Sequence, residues 1–378
     1  MKGYAKPLNE FICGQQIQFV IPVYQRNYDW LQDNCDQLLS DLVKLIHSGR
    51  TSHFFGSIVT SVAGTGFSRL VIDGQQRLTT ISLLLLAGIK AVNDGLLEIS
   101  NESRKDEAYD LFLNAKYCNS ERKIKLVPIE NDRIAYDKIF NGEDELDEDS
   151  KITRNFRHFY DKLTRKPQQL TFDNLLDAVE HLQIISIELD ADDDAQLIFE
   201  SLNSTGLALT EADKIRNYLL MSLTAEEQQL CFKNYWQKIE SATENNPTKF
   251  LRDYLTIKQQ LQRPVRLSNI YFEWKKYMDG RDRKQEMVEM LDYARYYQQV
   301  TEAQMETSKL SAKMRHICNI ESDVTNVFFI QFLKYAATNN LSYDEIDKVI
   351  DVVENYLARR IICNMPGNAL TQVFCALH

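Results

Sequence analysis

The chain is organised around the stretch Val71-Ile72-Asp73-Gly74-Gln75-Gln76-Arg77-Leu78-Thr79-Thr80, which predicts a strand, a turn and a helix in direct succession. Residues 68–72 suit a buried strand, and residues 78–89 form an apolar run without proline, typical of a buried helix. Such a turn directs backbone N–H groups and the positive end of the helix dipole at whatever it holds. Arg77 adds a fork of donors suited to phosphate, and Asp73 could bind Mg²⁺ or steer a water molecule. We interpret the turn as a phosphate-handling site.

A plainer interpretation of the same residues stays open. Asp-Gly is a common turn dipeptide, and Asp73 could do no more than cap the following helix. Arg77 could pair with an acid on the surface. Residue chemistry at the turn does not decide between the two interpretations, so the rest of the chain has to.

Composition excludes several classes of protein. The 378 residues are 44% hydrophobic and 26% charged, as in a globular protein of two or three domains. No apolar window is long enough to span a membrane, and the N-terminus lacks the apolar block of a signal peptide, so we expect a cytoplasmic protein. The seven cysteines are scattered and never spaced as Cys-x-x-Cys, which argues against a disulfide framework and a zinc site. A net charge of −10 weakens any claim of a basic surface but allows a local basic groove.

Two other segments could flank the turn. The loop Tyr24-Gln25-Arg26-Asn27-Tyr28-Asp29-Trp30 is unusually polar and aromatic. It could be an aromatic lid on the core, or a pocket wall in which Arg26 is a second phosphate donor near Arg77. Gly56 and Ser57 interrupt a predicted strand, and a glycine inside a strand often marks the close approach of a ligand or backbone.

A third segment, residues 192–216, mixes capping signals with further anion donors. Its aspartates suit the start of a helix, and Thr210 with Asp213 three residues later resembles a capping box for the next one. Capping does not require the other polar residues near this turn. A second wall of an anion pocket would use Asn203 and Thr205 together with Lys214 and Arg216.

The pattern of elements predicts an α+β chain. We expect residues 1–222 to form a domain with a mixed sheet, after a loose lead-in over residues 1–15 with a short helix. Residues 141–150 carry six acids and are expected to form a solvated loop, and residues 182–189 are expected to return as a strand to the N-terminal sheet. Residues 223–378 are expected to form a mainly α-helical domain.

The most basic window of this acidic chain is residues 249–284, with ten Lys or Arg against four Asp or Glu. Aromatic residues are interleaved with these cations, as in surfaces that bind nucleic acid, although solvated helix faces often give such runs. The candidate DNA-binding residues are Lys249, Arg252, Arg263, Arg266, Lys275 and Lys276.

Three ordered segments together resemble one family. They are the loop 21–30, the motif Asp73-Gly74-Gln75-Gln76-Arg77, and Phe199-Glu200-Ser201-Leu202-Asn203-Ser204-Thr205-Gly206. In this order they resemble the DGQQR-motif proteins typified by the GmrS half of GmrSD modification-dependent (type IV) restriction systems, over roughly residues 8–220. The resemblance implies a ParB/sulfiredoxin-like fold followed by a helical domain. It also implies nucleoside-triphosphate (NTP) hydrolysis, with GTP as one substrate and Mg²⁺ as cofactor, coupled to restriction of modified phage DNA.

The motifs carry over residue by residue. Arg77 and Arg26 would neutralise charge on the transferred phosphoryl group, Asp73 would hold Mg²⁺ or the attacking water, and Gln75 or Gln76 would orient that water. The residues on the hydrolysis motif are Asp73, Gly74, Gln75, Gln76 and Arg77; those on the other two blocks are Tyr24, Gln25, Arg26, Asn203, Thr205 and Gly206.

Many members of this family continue into an HNH-type nuclease domain, for which this sequence supplies no histidine-rich metal site. Either a separate chain carries the nuclease or the sequence is truncated; we favour truncation because it ends inside an apolar helical segment. The chain alone is therefore expected not to cut DNA. The oligomeric state is left open, with a homodimer as one arrangement.

Other functions compete with the NTP hydrolase. The first is a DNA-binding module that uses the same pocket and the basic window without hydrolysing a nucleotide. The second is a nuclease that uses the DGQQR site itself. A scaffold without chemistry ranks last, because it leaves the arginines and paired amides without a role.

Overall fold

The computed structural model describes residues 1–48, 50–63, 67–118, 120, 122–165, 170–190, 192–202, 209–320, 323–365 and 370–377. The chain forms two compact units, Met1–Gly206 and Leu207–His378. The helix Glu211–Leu220, which lies before the boundary predicted at residue 222, packs in the second unit against the helices Pro247–Lys258 and Ile270–Tyr277.

The first unit is built on a mixed sheet of six strands in the order β1-β6-β3-β4-β2-β5. The strands are β1 Lys2–Pro7, β2 Gln18–Val20, β3 His53–Ala63, β4 Ser68–Asp73, β5 Leu126–Val127 and β6 Leu182–Leu189. The central strand β3 is antiparallel to β4 and parallel to β6, while β2 runs parallel to both β4 and β5. This sheet confirms the α+β prediction.

The edge strand β1 and its neighbour β6 show which strands sequence periodicity can predict. The alternating pattern of 182–189 gives β6 with the predicted bounds, and β6 returns to the N-terminal sheet as expected. The lead-in prediction for residues 1–15 was wrong over Lys2–Pro7, which is β1, antiparallel to β6. Its residues are mostly exposed and carry little strand propensity, so pairing with β6 rather than local sequence makes this strand.

Helices make up most of the remaining described residues of the first unit. They are α1 Leu8–Ile12, α2 Gln32–Ser48, α3 Gln75–Asn93, α4 Ser103–Ala108, α5 Glu130–Phe140, α6 Lys151–Thr164, α7 Phe172–Glu180 and α8 Ala195–Leu202, with a π-helical turn at Tyr109–Leu113. The long helix α3 packs against α6 and α7, and α8 packs against β4. The helix α3 is buried on nearly all sides, and its apolar residues are accordingly spread around the helix rather than confined to one stripe.

The second unit is helical, as predicted. It contains α9 Glu211–Leu220, α10 Ala225–Cys231, α11 Gln237–Ala242, α12 Pro247–Lys258, α13 Ile270–Tyr277, α14 Arg283–Thr301, α15 Ser308–Ile320, α16 Asn326–Thr338, α17 Tyr343–Ile362 and α18 Leu370–Cys375, with a π-helical turn at Phe232–Trp236 and a 3₁₀ turn at Leu267–Asn269. Its core contains the aromatic residues Trp236, Tyr254, Trp274 and Phe329. Within the part of the chain that the structure describes, no helix is both long and apolar enough to cross a membrane.

Candidate functional site

The site begins where β4 ends and α3 starts. Asp73 is the last residue of β4, and Gly74 is the N-cap of α3, with a φ of 98° and no side-chain cap. A Cβ at Gly74 would lie 3.0 Å from the Ile58 side chain, so glycine is needed here both for its backbone angle and for the packing of β3 against the turn. No side chain therefore caps the first turn of α3, and the N–H groups of this turn are left for another acceptor near Asp73.

Asp73 and Arg77 form a partly buried ion pair at this turn. The Arg77 Nη2 donates to Asp73 Oδ2 at 3.0 Å, and the two side chains are 23% and 19% exposed. Burial raises the pKa of Asp73; the charge of Arg77, the Gly74 N–H and the charge of Arg26 lower it, but by less in sum. The acid that pairs with Arg77 is thus Asp73 of its own motif.

Gly56 makes room for the Arg77 guanidinium. A Cβ at this position would lie 2.1 Å from Arg77 Nη1, and Gly56 has a φ of 114° at an irregularity in the pairing of β3 with β6. The close approach that the strand glycine predicted is therefore made by the motif's own arginine. Ser57 follows on the same strand, opposite Ile185 of β6.

The 24–30 loop lies against the same turn and brings a second arginine. Arg26 lies close enough to lower the pKa of Asp73, and its Nη1 is 3.6 Å from Asp29. Tyr24 is buried. Gln25 Nε2 donates to the Ile72 carbonyl at 2.8 Å, which fixes this loop to the end of β4. The loop thus packs on the core through its buried tyrosines and pairs Arg26 with Asp29, as a lid would, while it also places Arg26 near Asp73, as a pocket wall would.

The two glutamines of the motif have different roles. Gln76 Oε1 accepts from the Asp29 N–H at 2.8 Å and the Trp30 N–H at 3.3 Å, while its Nε2 donates to the Asn27 carbonyl at 3.2 Å. Gln75 Nε2 donates to Gln25 Oε1 at 3.3 Å. Within the described residues, Gln75 Oε1 accepts no hydrogen bond. Gln76 is therefore a clamp on the loop, whereas Gln75 has an acceptor to spare.

A polar network beneath the loop was missed from the sequence. The Tyr28 hydroxyl lies 2.7 Å from Thr80 Oγ1 and accepts from Asn155 Nδ2 at 3.0 Å. The Tyr28 N–H donates to Asp132 Oδ2 at 2.6 Å, and burial raises the pKa of Asp132 to about 6. One signal was available: Asn155 is a buried amide on the otherwise apolar face of α6.

Asp73 is the one motif residue that could hold a metal ion. Among the residues that the structure describes, no group of three or more His, Cys, Asp or Glu side chains could bind one. Mg²⁺ often uses one or two carboxylates and takes its other ligands from phosphate and water. Asp73 could therefore contribute one carboxylate to such an ion.

The third block is only partly covered. Asn203, Thr205 and Gly206 lie outside the described residues. Asp194 caps α8, accepting from the N–H groups of Gln196 and Leu197, each at 3.0 Å. The predicted capping box of Thr210 and Asp213 is present at the start of α9. Lys214 belongs to the second unit, where its Nζ donates to Glu211 at 2.7 Å.

At least three of the six candidate DNA-binding residues are in ion pairs within the described part of the second unit. Lys249 pairs with Asp323 at 2.8 Å, Arg252 with the fully buried Asp253 at 2.8 Å, and Lys276 with Glu273 at 3.0 Å. Of the other three, Lys275 lies over the Tyr271 ring, Arg263 donates to the Gln372 amide, and Arg266 is exposed.

Comparison with known proteins identifies a family over the first unit. Residues 8–220, more than half of the chain, match the family model described as the GmrSD restriction endonuclease, N-terminal domain. The matched segment includes the 24–30 loop, the Asp73–Arg77 turn and the third block. No curated protein matches the chain.

Proposed function

The chain belongs to the family of GmrSD restriction endonuclease N-terminal domains, and from this membership and the site geometry we propose that it hydrolyses a nucleoside triphosphate at the Asp73–Arg77 turn. In this proposal, hydrolysis regulates DNA cleavage in a modification-dependent restriction system of the cytoplasm. The nuclease acts in cis or in trans, and modified phage DNA is the signal. Asn203, Thr205 and Gly206, which lie in the segment that matches the family, are further candidate contacts of the nucleotide.

The observation that carries the proposal is the position of the Arg77 guanidinium. It lies against the bare Cα of Gly56, next to the half-buried carboxylate of Asp73, with Arg26 close by. The strand glycine gives the guanidinium its position, because a Cβ at residue 56 would lie 2.1 Å from Arg77 Nη1. Two guanidinium groups at the N-terminus of a 19-residue helix suit a phosphate group, which they would bind in bidentate fashion while it develops charge.

The remaining polar groups divide the other tasks. Gln75 Oε1 is the acceptor that can orient a water molecule, while Gln76 holds the loop that carries Arg26. Asp73 would contribute a carboxylate to Mg²⁺, which when bound with the nucleotide neutralises charge on the phosphate oxygens. Because Arg77 already donates to one carboxylate oxygen, Asp73 is oriented before any ligand arrives.

The test is phosphate release from ATP, GTP, CTP and UTP with Mg²⁺, for wild type, Asp73→Asn and Arg77→Ala. Removing a donor that stabilises developing charge lowers turnover about 10²- to 10³-fold. The matched control is Arg165→Ala, which removes an exposed arginine from the same Asp-x-x-x-Arg spacing in Asp161 and Arg165. We expect the control to leave both turnover and melting temperature unchanged.

The same experiment separates the competing function. A pure DNA-binding module would release no phosphate from any of the four nucleotides, and its DNA affinity would survive Asp73→Asn. That pair of results would contradict the hydrolase proposal. Stimulation of wild-type turnover by modified but not by plain DNA would support the regulatory role.

A further inference from the structure

The second unit has an exposed cationic segment that the family match does not reach. Residues 263–284 hold seven Lys or Arg against three Asp or Glu, a net charge of +4 in a chain of net charge −10. Arg263 and Arg266 lie in the loop before α13, and both are exposed. Neither makes an ion pair with any residue that the structure describes. Two guanidinium groups are therefore available to an anionic partner.

An exposed aromatic ring follows these arginines in the chain. Phe272 on α13 is 60% exposed, in contrast to Phe250, Tyr254 and Trp274, which are buried in the core. Most of the aromatic residues interleaved with the cations are therefore unable to meet a ligand, whereas the ring of Phe272 is accessible. The Lys276 Nζ lies 4.1 Å from the centre of its ring.

Helical spacing puts the exposed groups on one face. Ser268 and Asn269 precede Phe272 by one turn, and Lys275 and Lys276 follow it by one turn. All of these residues are exposed or half-exposed. Arg266, directly before the 3₁₀ turn, lies about 10 Å from Phe272 along the helical path. A short stretch of one nucleic-acid strand spans this distance.

We propose that Arg263, Arg266 and Phe272, with Lys275 and Lys276 one turn beyond the ring, form a binding surface for single-stranded nucleic acid, with an unstacked base on Phe272 and phosphates on the two arginines. Base stacking on an aromatic ring with cations beside it is how proteins bind single strands. Duplex DNA, whose bases are already stacked, would meet the cations but leave the ring unused. The inference does not rest on nucleotide hydrolysis, since binding is measured without a nucleotide.

The test is the affinity of the full chain for a fluorescein-labelled oligo(dT) 15-mer, measured by anisotropy across salt concentrations. We expect Phe272→Ala to weaken binding about fivefold or more. Arg266→Ala should lower the slope of log affinity against log salt by the amount that corresponds to the loss of one phosphate contact. The controls are Tyr335→Ala, which removes a ring of 59% exposure from α16, and Arg315→Ala, which removes an exposed arginine from α15. Neither control should change the affinity.

A second variant detects stacking directly. Phe272→Trp should retain the affinity, and the fluorescence of the new tryptophan should be quenched by oligo(dT). Parallel titrations with oligo(U) and a 15-base-pair duplex identify the strand; binding of either single strand that depends on Phe272 supports the proposal. Unchanged affinity in Phe272→Ala would overturn it. So would duplex binding as tight as that of oligo(dT), or equal competition by poly-glutamate, which would indicate an acidic protein partner.

Discussion

At the scale of single residues, the candidate site depends on the absence of a side chain at Gly56. Gly56→Ala adds a methyl group 2.1 Å from Arg77 Nη1 and strains a backbone whose φ is 114°. We expect the guanidinium to be displaced from Asp73, with loss of phosphate release and a decrease of about 1–3 kcal/mol in the free energy of unfolding. Urea denaturation and the phosphate assay measure the two effects.

Gly95→Ala is the matched control for this variant. Gly95 also has a positive φ, of 70°, but a Cβ there would meet no atom within 4 Å. It should cost about 1 kcal/mol in stability through the backbone alone and leave turnover intact. Equal loss of turnover in both variants would contradict the role given to Gly56.

A second residue, Asp132, should affect the pH dependence of stability. Its pKa is about 6 in the folded protein, against an ordinary value of 3.8. The folded state therefore favours the protonated carboxyl, and the resulting stabilisation is complete below about pH 4 and lost as the pH rises through 6. Asp132→Asn removes this charge while its amide oxygen can still accept from the Tyr28 N–H.

The expected result is a gain that appears only at higher pH. The free energy of unfolding of Asp132→Asn minus that of wild type should be about 1–3 kcal/mol more favourable to the variant at pH 7 than at pH 4. Urea denaturation at both pH values measures it, with the exposed Asp33→Asn as the control. A difference in the free energy of unfolding between variant and wild type that does not change with pH would show that the charged Asp132 carboxylate does not destabilise the folded protein at neutral pH.

At the scale of elements, the two motif glutamines should separate stability from turnover. Gln76→Ala leaves the Asp29 and Trp30 N–H groups and the Asn27 carbonyl without their partner, which should lower the free energy of unfolding by about 2–4 kcal/mol. Gln75→Ala removes one long hydrogen bond and should cost less than about 1 kcal/mol. Its effect should instead be on phosphate release, because it loses the acceptor for water.

Comparing the two alanine variants in parallel gives the test. Melting temperatures and turnover at saturating nucleotide are measured for both. If Gln75→Ala keeps full turnover while Gln76→Ala abolishes it without loss of stability, the two roles have been assigned the wrong way round.

The sequence predicted the elements whose signals are local. The strand-turn-helix at Asp73 and the strand over 182–189 follow from apolar patterning, and the capping box at Thr210 follows from spacing. The strand β1 and the clamp made by Gln76 do not, because each depends on partners far away in the chain. Gln76 reaches a loop nearly 50 residues before it, and no local pattern encodes that contact.

At the scale of the whole molecule, the family match and the structure divide the chain differently. The match ends at residue 220, inside the second unit, and leaves most of the helical part without a family to describe it. The hydrolase proposal therefore rests on the first unit, and the nucleic-acid surface on the second. Each can fail without the other.

The seven free cysteines test both units in one experiment, because they are distributed along the whole chain. Only Cys13 and Cys363 are exposed. Burial raises the pKa of the Cys35 thiol to about 12 and also raises those of Cys231, Cys318 and Cys375, so few of these thiols are ionised at neutral pH.

Since the thiolate is the reactive form, we expect two cysteines to react rapidly with iodoacetamide and the others slowly. Peptide mass spectrometry after a short pulse identifies the sites, and labelling in urea should reach all seven. Rapid labelling of Cys35 in the native protein would mean that α2 does not pack on the first core, and rapid labelling of Cys375 would mean the same for α18 and the second.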